Sequence, residues 1–164
     1  MDSSGETRER AVEEGRPVRD TAAARWSAAL ALVLCGAVLG LAAYLRPDGR
    51  GYGTHEQFGT GPCGFLMVTG YPCPTCGMTT AFALAVRGRW QEAARVQPAG
   101  FVLALGAGAV GLLAVWVLAV GRWPRVVLGM VSDYRFYVGL LVLFLGGWGL
   151  KLLLGLLDGT LPQR

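Results

Sequence analysis

The chain has 164 residues, 53% of them hydrophobic and 16% charged, with 25 glycines and a mean hydropathy of +0.44. A soluble domain carries about a quarter charged residues, so the composition excludes a disordered chain, a collagen and a disulfide-rich secreted domain and points to a membrane protein. The net charge of +4 is spread as single or paired basic residues between apolar runs, the pattern of membrane flanks, so the implied partner is the lipid bilayer, with no nucleic acid.

Residues 1–25 alternate in sign and hold almost no large apolar side chains, which predicts a solvated, disordered charged tail. The 20 uncharged residues from Trp26 to Leu45 are long enough to cross about 30 Å of hydrocarbon and exceed a signal peptide's apolar core, so a retained signal anchor is expected. Gly36 and Gly40 place a GxxxG within it, and Cys35 reads as a packing residue. Arg46 to Pro62 is a polar, glycine-rich loop with the single histidine, His55. Cys63 to Val86 is also free of charge for 24 residues, but Gly64, Gly70, Pro72, Pro74 and Gly77 interrupt its first half. A continuous helix starts there only near Pro74, too short to cross alone, so 63–86 is expected to be a broken or re-entrant element.

Residues 87–97 read as an amphipathic connector. Spans are then expected at 98–121, opened by Pro98 at a first helical turn, and at 136–157, with 122–135 as a turn region and 158–164 as a tail. Ala104, Gly106, Ala107, Gly108 and Gly111 give the second span a smooth face for another helix or subunit. Lys151, the one lysine, sits six residues from the end of the last span. It either snorkels to the headgroups or marks a functional charge. The fold class is thus an all-α integral membrane protein with three full transmembrane helices and a short cysteine-bearing element inside one membrane domain, residues 26–157.

Three crossings divide the basic residues eight to seven, which gives no orientation. If 63–86 also crosses, the division becomes ten to five, and the positive-inside rule then places both termini in the cytoplasm of a bacterial inner membrane.

Cys63, Cys73 and Cys76 fall within fourteen residues in a C-x9-C-x2-C spacing. The segment resembles a family of small bacterial multi-pass membrane proteins defined as a domain of unknown function. Its signature is a leading Cys, a Thr-Gly pair and Cys-Pro-x-Cys-Gly-x-Thr-Arg-Ala. Thr69, Gly70, Cys73, Pro74, Cys76, Gly77, Thr79 and Ala81 fit it, Thr80 stands where the family has arginine, and Gln97-Pro98 replaces an Asn-Pro. The resemblance implies a membrane location and a shared site, and no reaction.

Three readings of that site stay open. With Cys73 as N-cap and Pro74 in the first helical turn, helix-dipole stabilised thiolates would serve dithiol/disulfide redox chemistry. His55, Cys63, Cys73 and Cys76 together would suit tetrahedral zinc. Alternatively, the small residues shape a sharp turn in a membrane scaffold or accessory subunit, with Thr79 and Thr80 bonding back to freed carbonyls. No phosphate-binding loop, metalloprotease motif or intramembrane carboxylate pair is present, which points away from an enzyme beyond any thiol chemistry.

Overall fold

The computed structural model describes residues 21–157, so residues 1–20 of the tail expected at 1–25 and the tail expected at 158–164 lie outside the described residues, while 21–25 are helical. All regular structure within them is helical: α1 Thr21–Tyr44, a 3-10 turn Thr54–Phe58, α2 Gly64–Thr69, α3 Met78–Ala85, α4 Trp90–Val96, α5 Pro98–Val120, α6 Arg125–Ser132 and α7 Tyr134–Leu157. Three of these, α1, α5 and α7, are long and apolar enough to cross a membrane. α1 starts five residues before the expected span because Thr21 is followed by three alanines, the strongest helix formers. In the expected turn region, Pro124 opens the short helix α6.

α1 and α5 pack antiparallel along their lengths. A Cβ on Gly121 would lie 3.4 Å from Thr21, Ala28 shares a buried cluster with Ala114 and Val117, and a Cβ on Gly111 would lie 3.7 Å from Cys35. Cys35 is therefore a packing residue at a close helix approach, as expected. Gly36, Gly40, Gly106 and Gly108 have open space around them and take no part in this contact. The Trp123 indole N–H donates to Ser27 Oγ at 2.9 Å beside the N-terminal end of α1.

At the other end, Arg87 joins the cysteine-bearing segment to α1. Its guanidinium donates to the carbonyls of Ala42, Ala43 and Leu45 at 3.1, 2.8 and 2.7 Å, and to that of Ala83 in the preceding helix α3 at 2.6 Å. A cation there satisfies last-turn carbonyls that have no helical partner and opposes the negative end of the dipole. α3 also packs on the first turns of α5, where a Cβ on Gly100 would meet Ala81 and Met78 at 3.0 Å. Gly147 of α7 backs onto Pro98 and Ala99. The C-terminal end of α1, the N-terminal end of α5 and the C-terminal half of α7 thus share one end of the bundle.

Residues 46–97 therefore leave and rejoin the bundle at the same end. The ten-to-five charge division needed 63–86 to cross, and the geometry removes that premise: α3 has eight residues, about 12 Å of helix at 1.5 Å per residue. Thr21, beside Gly121 of α5, and the C-terminal half of α7, beside Pro98 and Ala99, stand at opposite ends of the bundle.

The 46–62 loop is folded against this end. Asp48 and Glu56 pair with Arg50 at 2.8 and 2.9 Å, and Arg50 holds the Asp48 carboxyl below its usual range. Thr54 is fully buried and its Oγ1 lies 2.7 Å from Oγ1 of Thr80, also fully buried. Thr80 thus bonds across to the loop and not back to a freed carbonyl, while Thr79 lines an apolar groove with Val38, Leu41 and Phe82.

Two outcomes follow. Topology-reporter fusions at Gly53 and Gly88 should report one side, and a fusion at Gly129 the other; opposite reports from Gly53 and Gly88 would require 63–86 to cross. Thr80→Arg should cost about 3 kcal/mol by burying an unpaired guanidinium against Thr54, read as a loss of folded protein and a lowered Tm in mild detergent. An unchanged Tm would show room for the guanidinium beside Thr54.

Candidate functional site

The site is built on a turn between two short helices. α2 is closed by Gly70 at φ 75, with its N–H on Leu66 O. Thr69 Oγ1 fixes the exit by donating to Phe65 O at 2.7 Å and accepting from the Tyr71 N–H at 3.2 Å. The Pro72–Gly77 stretch then coils in tight turns, with Cys76 N–H on Cys73 O and Met78 N–H on Thr75 O, both at 3.0 Å. The helix starts at Met78 with Gly77 as its N-cap, not at Cys73 and Pro74. Gly77 is the reason: its φ is 90, in the left-handed region that glycine tolerates. Space also requires glycine there, because a Cβ would lie 2.8 Å from both Gly51 O and Lys151 Nζ. The thiols therefore sit in a coiled turn ahead of the helix, not in its first turn.

This turn brings the three cysteines together. The Sγ atoms of Cys63, Cys73 and Cys76 all lie within 4.8 Å of one another, although Cys63 stands ten positions before Cys73. Cys73 and Cys76 are closest, with sulfurs 3.0 Å apart, and Cys73 Sγ is 3.1 Å from Thr75 Oγ1. The pair is asymmetric. Cys76 is 5% exposed, whereas Cys73 and Cys63 are half-buried. Burial acts to raise the Cys73 pKa, but hydrogen bonds from Cys76, Thr75 and Cys63 outweigh it and bring the thiol down to about 7. Burial, followed by the hydrogen bonds to Cys73 and Cys63, pushes Cys76 up. One proton shared over two close sulfurs produces this split, so the values belong to the pair.

Three thiols this close could bind a metal ion, since thiolate is a preferred ligand of soft and borderline metals. His55 is not among the clustered groups. It rides on the 3-10 turn, half-buried, where its backbone carbonyl accepts from Thr60 Oγ1 at 2.9 Å. A four-ligand set completed by His55 is thus not assembled, and any metal would keep a position open for another ligand.

The sequence reading missed what holds the turn. Trp148 Nε1 donates to Pro72 O, Gln97 Nε2 to Pro74 O and Lys151 Nζ to Cys76 O, each at 2.9 Å. Lys151 therefore points to the cysteine turn and does not snorkel away. As the one lysine, inside an apolar span, it carried a signal. Gln97 stood at a noted departure from the resembled signature, and nothing marked Trp148. Ala81, also of the motif, is fully buried against Gly100, where a larger side chain has no room.

No curated protein and no solved structure matches the chain. Residues 63–111, which run from the first cysteine of the site into the middle of α5, match the family model described as Protein of unknown function (DUF2752), the resemblance that the cysteine motif had suggested.

Proposed function

We propose that this is a thiol/disulfide exchange protein of the bacterial inner membrane, with Cys73 as the attacking thiol, Cys76 as its buried partner and Cys63 as a third thiol in reach. The observation that carries the reading is the asymmetric pair: two sulfurs 3.0 Å apart, one half-buried and one 5% exposed. An attacking thiol has to be reachable and ionised near neutral pH, and its partner is best kept protonated until a mixed disulfide has formed.

The exchange balances within the site. Cys73 thiolate attacks one sulfur of a substrate disulfide, forming a mixed disulfide and releasing the other substrate sulfur as a thiolate. Cys76 gives its proton to that released thiolate and attacks Cys73 Sγ, which closes the Cys73–Cys76 disulfide and frees the second substrate thiolate. Two electrons pass from the dithiol to the substrate, and the reverse sequence oxidises a substrate dithiol.

The convergence of three sulfurs favours a second reading, a zinc site. Tetrahedral zinc with bonds of about 2.3 Å would set its sulfurs about 3.8 Å apart, a spacing that small movements of this cluster reach. A scaffold role explains the glycines and prolines but gives no reason for Cys63 to approach the other two.

In protein purified in mild detergent, alkylation of Cys73 should rise with pH through a midpoint near 7, because thiolate prevails above the pKa. Cys76 should stay unreactive over that range. Metal content measured on the same sample separates the readings: about one zinc per chain, lost in Cys73→Ser or Cys76→Ser, would sink the redox assignment in favour of metal. Three thiols that label with ordinary midpoints, without metal, would leave the turn as architecture.

A further inference from the structure

The carbonyls that run into the cysteine turn are held in alternation. Those of Pro72, Pro74 and Cys76 accept from Trp148, Gln97 and Lys151 respectively. Pro72 and Pro74 have no N–H of their own, so this stretch can form little internal ladder, and its buried carbonyls need donors from elsewhere. Two of the donors stand three residues apart on α7, one helical turn, and so point to the same side. They grip the two ends of the five-residue stretch Pro72–Cys76, which contains Cys73 and ends on Cys76.

We propose that Trp148 and Lys151 are positioning residues of the thiol site: by holding the Pro72 and Cys76 carbonyls they fix the turn in which Cys73 and Cys76 face each other.

The turn has little else to keep that form. Its internal closures are the Cys76 N–H on Cys73 O and the Met78 N–H on Thr75 O, both at 3.0 Å, and Gly77 between them has the widest backbone freedom of any residue. Lys151 limits that freedom in two ways. Its ammonium takes the Cys76 carbonyl, and the same nitrogen lies 2.8 Å from the position of a Cβ on Gly77, covering the side on which the glycine would otherwise swing. Without that donor the Cys76 carbonyl is buried without a partner, and the peptide between Cys76 and Gly77 turns to find one. That rotation moves the Cys76 sulfur relative to Cys73. The sulfur spacing is therefore set by a residue seventy-five positions further along the chain, on a different helix.

The proposal rests on Cys73 and Cys76 being the working pair, and its test distinguishes the two ideas. Full-length protein carrying Cys35→Ser and Cys63→Ser throughout would be studied in mild detergent with Lys151→Met, Lys151→Arg, Trp148→Phe and, as a control on an exposed position of α7, Leu153→Ala. Two quantities would be measured for each: the equilibrium constant of the Cys73–Cys76 disulfide against glutathione, and the rate at which a short bifunctional thiol reagent bridges the two sulfurs. Lys151→Met and Trp148→Phe should each change both quantities threefold or more. Lys151→Arg, which keeps a charged donor, and Leu153→Ala should stay within threefold of the parent. Values within threefold for both Lys151→Met and Trp148→Phe would overturn the proposal. Should Lys151→Met fail to fold, Trp148→Phe decides, since it keeps an aromatic, apolar side chain, though a smaller one, and removes the indole N–H that donates to Pro72 O. If the parent forms no disulfide in any glutathione buffer the redox assignment falls, and the bridging rate still reads whether the two α7 residues set the spacing.

Discussion

A backbone carbonyl withdrawn from water must be given a donor, and this requirement shapes the end of the bundle where the cysteines lie. Leaving such a group unpaired costs about 1–3 kcal/mol, more in an apolar surrounding. Two sets of carbonyls raise the problem here. The last turn of α1 exposes its own, and Arg87 answers with one guanidinium that reaches Ala42, Ala43 and Leu45. The proline-containing turn exposes another set, answered by Trp148, Gln97 and Lys151. Both solutions draw a donor from a different element, so satisfying the backbone and fixing the tertiary arrangement are one act. The short helices α2, α3 and α4, each too brief to be stable alone, are held by these ties and by small-residue contacts such as Ala81 on Gly100.

How much of this was legible follows from how local each signal is. A span announces itself by a run of apolar residues, so the three long helices were read within a few residues of their bounds, and proline and glycine marked 63–86 as broken. Position 77 was noted only as an interruption. Its φ of 90 and the crowding by Gly51 O and Lys151 Nζ are what set the helix start at Met78, and neither can be seen in the residues beside it. His55 was grouped with the cysteines because it was the one imidazole nearby in sequence, yet the 3-10 turn carries it elsewhere while Thr54 beside it enters the core. α6 went unread because eight residues between two spans give too short a pattern against a background this apolar.

The orientation argument shows the same limit from another side. Counting charges requires knowing which loops share a side, and that depended on a single crossing. Arg87 is the example: the ten-to-five division counts it as a flanking charge, but its guanidinium is occupied by the carbonyls at the end of α1. A basic residue near an apolar run is thus ambiguous between a headgroup anchor and a helix cap, and only its acceptors tell the two apart. Lys151 repeats the lesson, since its stem has the length to reach the headgroups but its ammonium sits on Cys76 O.

The third cysteine makes the site more than a strapped pair. Cys73 and Cys76 belong to one turn whose backbone is tied to α5 and α7. Cys63 arrives differently, at the N-terminal end of a six-residue helix with no buried residues of its own. Its approach to within 4.8 Å of the other sulfurs depends on Gly70 and Thr69 turning the chain back between α2 and the prolines. Two sulfurs are therefore held by the helical bundle and the third by a short helix with no buried residues. In disulfide exchange such a third thiol can reach a mixed disulfide on Cys73 without disturbing the pair. At a metal it would be the ligand that closes over an ion already held by the other two. Either chemistry uses the same division between a fixed pair and a separately carried thiol, and that division follows from where the donors to the turn are placed.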